Sequence, residues 1–156
     1  MQTMAELLAQ QPFLAGMRPA HLERVSVYAH RSVFRAGARI FHEGGHATRC
    51  WIIRDGEVEL DTTVPGHGTV TIEKLGPGPG AVLGWSWLFP PQTWHFGAVA
   101  TEPVLTIEFK APELLRLCEG DPQIGYELTR RFMAVVVDRL QTTRARLIAE
   151  YFSETS

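Results

Sequence analysis

A chain of 156 residues with 45% hydrophobic and 21% charged residues has room for one domain with a real core, and is too apolar for a disordered segment. Its net charge of −2 removes any general attraction to nucleic acid or to an anionic membrane surface. Two cysteines, Cys50 and Cys118, are too few for a disulfide framework or an iron–sulfur cluster. The longest apolar run, residues 132–137, is far too short to span a membrane, and Glu6 interrupts any secretory pattern, so a soluble cytoplasmic protein is expected.

In chain order, residues 3–10 predict a short helix, with Thr3 and Glu6 at capping-box spacing and Pro12 as its stop. A second helix is expected from Pro19 to about Ala29, because Leu22, Val25 and Ala29 recur at three and four. From Ser32 the pattern changes. Short apolar pieces (Val33-Phe34, Arg39-Ile40-Phe41, Trp51-Ile52-Ile53, Val58-Glu59-Leu60, Val70-Thr71-Ile72) alternate with turns at Gly37, Gly44-Gly45, Gly56 and Pro65-Gly66-His67-Gly68. Further strands are expected over 96–100 and 104–109, which together predict an all-β sandwich or barrel.

Helix resumes at Ala111, with Leu114, Leu115 and Cys118 on one turn and Gly120 at its end. Asp121-Pro122 supplies an N-cap and a first-turn proline for a last helix that runs to about Tyr151. The expected organisation is a single domain over 1–156: N-terminal helices over 1–30, β-strands over 31–110 and C-terminal helices over 111–152.

Three of the four tryptophans, Trp85, Trp87 and Trp94, fall between Leu75 and Thr101. There a glycine-rich turn feeds Leu83-Gly84-Trp85-Ser86-Trp87-Leu88, a Pro90-Pro91 turn follows, and an alternating strand comes after it. The surrounding order is also specific. It contains Pro12-Phe13-Leu14 with Leu22, then Gly37 with Ile40-Phe41-His42-Glu43-Gly44, then Trp51-Ile52-Ile53-Arg54-Asp55-Gly56-Glu57-Val58. Arg139-Leu140-Gln141-Thr142-Thr143 closes the series.

This ordered set resembles the cyclic-nucleotide-binding domain of the catabolite-activator and Fnr regulator superfamily, over roughly residues 12–150. The resemblance implies a mainly β fold with flanking α-helices. Its centre is a jelly-roll-like β-roll (a double-stranded β-helix), between N-terminal helices and a long C-terminal helix. It also places the phosphate-binding cassette at residues 83–88.

In relatives that bind cyclic AMP, a short helix after a Gly-Glu pair points its first amides at the cyclic phosphate. The glutamate accepts from the ribose, and an arginine on the next strand pairs with the phosphate. Here Gly84 matches the glycine, but Trp85 stands in the glutamate's place. His95 falls at or next to the arginine's place, with Phe96 for its small polar neighbour. No arginine or lysine occurs between Lys74 and Lys110. A lost charge-assisted pair with phosphate costs roughly 1.5–3 kcal/mol. No cofactor is expected, and a cyclic nucleotide is a candidate ligand that the cassette argues against.

On the long helix the resemblance puts Thr143 where an adenine-contacting threonine sits, with Arg144 where a serine is expected and free to reach into the pocket as a cation. The candidate ligand set is therefore Gly84, Trp85, Ser86, Trp87, Leu88, Trp94, His95, Phe96, Thr143 and Arg144. The aromatic members have two readings: collapsed packing that closes the pocket, or an aromatic lining for a flat ligand.

His42-Glu43-Gly44-Gly45-His46 spells the zinc-protease pattern, but that chemistry needs a helix, and two internal glycines cost about 2 kcal/mol of propensity. A turn is predicted instead. His42, His46 and His67 lack clustered ligand spacing, so no metal site and no catalytic residue is assigned.

In the last helix Met133, Val137, Leu140, Arg144, Leu147 and Tyr151 recur at four and three, the spacing of a coiled-coil seam. Val135, Val136 and Ile148 widen the stripe, so a homodimer through this helix is expected; docking on its own barrel alone is the alternative. Arg130, Arg131, Arg139 and Arg146 beside Glu127, Asp138 and Glu150 read as a solvated face. Five residues follow Tyr151, too few for a helix-turn-helix unit, so direct DNA binding is not expected. The leading expectation is a non-enzymatic sensor domain that signals by protein contact. The alternatives are a ligand-free docking module and, last, a metal-dependent enzyme on a cupin-like barrel.

Overall fold

The computed structural model describes residues 1–155. Helix α1 (Met4–Ala9) opens as its capping residues require, with the Glu6 amide donating to the Thr3 hydroxyl at 3.1 Å. A 3₁₀ turn (Pro12–Leu14) and α2 (Pro19–Ser26) follow. The helix stops three residues before the predicted Ala29, because Ala29 already pairs with Phe109 at the start of a sheet.

Among the described residues, eight strands make two four-stranded antiparallel sheets. They are β1 (Ala29–Phe34), β2 (Arg39–Phe41), β3 (Arg49–Asp55), β4 (Val58–Val64), β5 (Gly68–Leu75), β6 (Val82–Leu83), β7 (Gly97–Ala100) and β8 (Val104–Lys110). The orders are β1-β8-β3-β6 and β2-β7-β4-β5, so each sheet takes strands from both halves of the chain, as in a rolled-up jelly roll. Ile53, Val58, Leu60 and Val104 are buried in the roll, and Ile52 is buried on the other face of its strand, against Phe13, Leu114 and Phe132 of the helices. At the β3–β4 corner a Cβ on Gly56 would lie 2.3 Å from the Pro103 carbonyl oxygen, so only glycine closes this turn. The predicted strand over 96–100 starts one residue late, since Phe96 sits in the connecting loop.

His42 to His46 form the turn between β2 and β3 rather than a helix. The Glu43 carboxylate is committed there, accepting from Thr62 Oγ1 at 2.8 Å and the Thr63 amide at 3.0 Å.

Helix α3 (Ala111–Gly120) buries Leu114 and Leu117. Leu115 and Cys118, on the same turn, are half-buried, because the buried face runs through Leu114 and Leu117. Helix α4 (Pro122–Thr155) divides in two. In its first part Ile124, Leu128, Phe132 and Val135 recur at four and three and are buried, with the Phe132 ring 5.1 Å from that of Phe13. After Val135 none of its described side chains is buried. The molecule is thus a β-roll with helices packed on one side and a long helix that leaves the core about a third of the way along.

Candidate functional site between the cassette and the last helix

The site starts from Gly84. It has φ +87°, and a Cβ there would lie 2.7 Å from the Trp94 ring and 2.9 Å from the Arg49 carbonyl oxygen. The position therefore needs glycine for both conformation and space. Beyond it the cassette is one 3₁₀ turn, Ser86–Leu88, with the Leu88 amide donating to the Trp85 carbonyl at 3.0 Å.

The aromatic residues separate into two groups. Trp94 is buried inside the roll, stacked on Phe41 at 4.1 Å and 6.1 Å from Trp51. Trp87 is also buried and faces away, edge-on to Phe132 of α4 at 5.7 Å. These two belong to the core, a correction to the candidate set. Trp85 and Phe96, edge-to-face at 5.9 Å, line an open cavity between the cassette and α4.

That cavity has a volume of about 290 Å³. Its roll wall is Leu60, Ile72, Glu73, Trp85 and Phe96, and its helix wall is Val136, Arg139, Leu140, Thr143 and Arg146. Of the ten candidate ligand residues, the cavity brings together Trp85, Phe96 and Thr143. Gly84 shapes the approach. Ser86 and His95 are paired with each other, Oγ to Nδ1 at 3.2 Å, with Ser86 buried and His95 exposed. The positions expected to meet a phosphate thus satisfy one another. Leu88 is half-buried in the core cluster and is not part of the lining.

The cations of the site come from the helix. Arg139 lies with its guanidinium carbon 4.4 Å from the centroid of the Trp85 ring. Its Nη2 donates to the carbonyls of Gly80 (3.0 Å) and Val82 (2.9 Å), while Nη1 is buried with no hydrogen-bond partner. Burial pushes its pKa down to about 10, against the pull of Glu73 and Asp138. Arg146 donates to the Ile72 carbonyl.

Two expectations are corrected here. Arg144 is exposed and lies outside the lining, because it stands five residues from Arg139, about 140° round the helix. Arg139 and Arg146, assigned to a solvated face, are the cavity's cations, and Arg131 is tied to the Ala15 carbonyl at 2.8 Å. The signal was present in the spacing: 136, 139, 140, 143 and 146 form one helical face. Net charge along the helix does not show which arginines fall on it.

The seam residues Met133, Val137, Leu140, Leu147 and Tyr151 are all exposed, and Leu140 also lines the cavity. The buried Cys50 thiol has its pKa pushed up strongly by burial, and that of Cys118 rises to about 11 for the same reason. Among the described residues no group of three or more His, Cys, Asp or Glu is placed to hold a metal ion. Among the same residues, no helix is long and apolar enough to cross a membrane.

Known proteins share this architecture. No curated protein sequence matches the chain. Among solved structures, it is similar to a candidate cyclic nucleotide-binding protein from Geobacter metallireducens GS-15 (TM-score 0.77, 26% identity, covering 90% of this chain and 99% of that one). It also resembles a cyclic nucleotide-binding domain from Methylobacillus flagellatus KT (TM-score 0.79, 18% identity, 94% and 82%). A third is the catabolite activator protein of Thermus thermophilus (TM-score 0.69, 24% identity, 92% and 65%). The profile of the cyclic nucleotide-binding domain matches residues 31–121, which run from β1 through the cassette to the end of α3. With that match spanning more than half its length, the chain belongs to the cyclic nucleotide-binding domain family.

Proposed function

We propose that this chain is a non-enzymatic sensor domain. A small ligand occupies the cavity between cassette and α4, and α4 passes that occupancy to a protein partner, a second copy of the chain. One observation carries the reading: Leu140 belongs both to the cavity wall and to the exposed apolar stripe. Anything that shifts α4 at the cavity therefore shifts the surface a partner would meet. In this reading an occupied cavity favours one placement of α4 over another, a population shift rather than a chemical step.

The dimer follows from the stripe. Met133 and Leu147 are 62% and 66% exposed, and burying such side chains against a second helix at heptad spacing is the usual outcome for a stripe of this width. Light scattering on the purified chain is expected to give a dimer, and Val137→Glu with Leu147→Glu is expected to give a monomer. A monomeric wild-type chain overturns this part of the proposal. Calorimetry with cyclic AMP is expected to show no binding in the micromolar range, because the cassette lacks its carboxylate and its cation; binding in that range overturns the reading of the cassette.

The same fold also supports a ligand-free docking module. The mutual satisfaction of Ser86 and His95 and the burial of Trp87 and Trp94 favour it. The ligand test below separates the two.

A further inference from the structure

The charges of the cavity are unevenly placed. The lining has two arginines, both on α4, and one carboxylate, Glu73, on the roll. Arg139 is held over Trp85 by its two carbonyl contacts, so its direction is fixed before anything binds. Its Nη1 is closed off from water without an acceptor. With Nη2 committed to carbonyls and Nη1 closed off, what Arg139 offers the cavity it lines is its charge, which a negative group there meets with reduced screening by water. The depressed pKa of Arg139 agrees, since Glu73 and Asp138 do not offset the burial. Beside this cation lie Trp85, Phe96 and Leu60, an apolar aromatic surface. The volume, about 290 Å³, is at the small end for a small-molecule site.

We propose that the cavity binds a planar aromatic carboxylate of one or two fused rings, its ring among Trp85, Phe96 and Leu60 and its negative charge towards Arg139 of α4. This rests on the reading of the cavity as a ligand site. The charged contact is made with the helix, and the cassette supplies only shape. Because the anion attracts α4 rather than the cassette, occupancy acts directly on the helix that carries the exposed stripe.

The test is calorimetry on the full chain with three compounds: 2-naphthoate, its neutral amide 2-naphthamide, and cyclic AMP. The expected result is binding of 2-naphthoate, with the amide weaker by about tenfold or more. Arg139→Gln is expected to lose about tenfold or more for 2-naphthoate and nothing for the amide. Arg139→Lys, which keeps the charge, is expected to hold most of the affinity, and it guards against a folding defect in the first variant. His95→Ala is expected to change binding less than twofold, since that residue bonds Ser86 outside the lining. Equal binding of naphthoate and amide, or an unchanged Arg139→Gln, overturns the anion inference and leaves the ligand site standing. Binding of cyclic AMP alone overturns the proposed ligand class while keeping a ligand site. No binding by any of the three overturns both the inference and the sensor reading beneath it.

Discussion

On the roll side of the cavity, Trp85, Phe96 and Leu60 present apolar surface, and the polar residues of the cassette, Ser86 and His95, bond each other. On the helix side, Arg139 and Arg146 bring two cations and anchor themselves on the carbonyls of Gly80, Val82 and Ile72. The polarity expected of the family's pocket, a charged cassette facing a largely neutral helix, is thus reversed. A fold can keep its cavity while moving the charge from one wall to the other, because the cavity's shape rests on buried packing and glycine turns. The ligand's recognition rests on a few side chains that point into the gap. Changing those side chains leaves the architecture intact.

The strongest way to break this comparison is to remove what shapes the roll wall. Trp94 is 5% exposed, stacks on Phe41, and fills the space against Gly84. Trp94→Ala is expected to cost about 3–5 kcal/mol, as large buried aromatics do when truncated. Urea denaturation followed by circular dichroism measures it. A loss below about 1 kcal/mol would mean that Trp94 is not core and that the interior of the roll is open.

This prediction also marks what could be read without coordinates. The succession of short strands along the chain and the return to helix at Ala111 were legible, because glycine turns and the 2-residue and 3.6-residue periods are local signals; the place of the cassette came from the resemblance. The partition of the tryptophans was not. Trp85 and Trp87 are two residues apart, which in a strand would put them on one face. In a 3₁₀ turn, with three residues per turn, two positions apart means about 120° of separation. One ring therefore lines the cavity and the other reaches Phe132. The cation was misplaced for a similar reason. The resemblance directed attention to Thr143, which lines the gap, and to Arg144, which does not; the helix rotates Arg139 and Arg146 into the gap instead. Charge balance counted along a helix says nothing about which charges face the cavity.

A middle-sized effect sharpens the comparison where the two walls touch. The guanidinium of Arg139 over the Trp85 ring, at 4.4 Å, is one of the contacts that join cassette to helix. A double-mutant cycle with Trp85→Leu and Arg139→Met is expected to give a coupling of about 1 kcal/mol, the range for a cation over an aromatic face that is partly shielded from water. Chemical denaturation of the four proteins measures it. A coupling indistinguishable from zero would mean that this ring contact does not join the walls, which leaves the backbone anchors of Arg139 and Arg146 to do so.

The smallest effect falls on the cassette's own polar pair, and its size depends on which partner is removed. Ser86 is buried and His95 is exposed, with 3.2 Å between Oγ and Nδ1. His95→Ala leaves a buried hydroxyl without its partner, so a loss of roughly 0.5–1.5 kcal/mol is expected. Ser86→Ala leaves instead an exposed imidazole that water can satisfy, so that variant is expected to lie within about 0.5 kcal/mol of wild type. Thermal and urea unfolding of both variants compare the two directly. Equal losses would show that the pair acts as a unit with more than one hydrogen bond at stake. The expected asymmetry would show that the residues standing where a phosphate is held in cyclic AMP-binding relatives here serve only to close the turn.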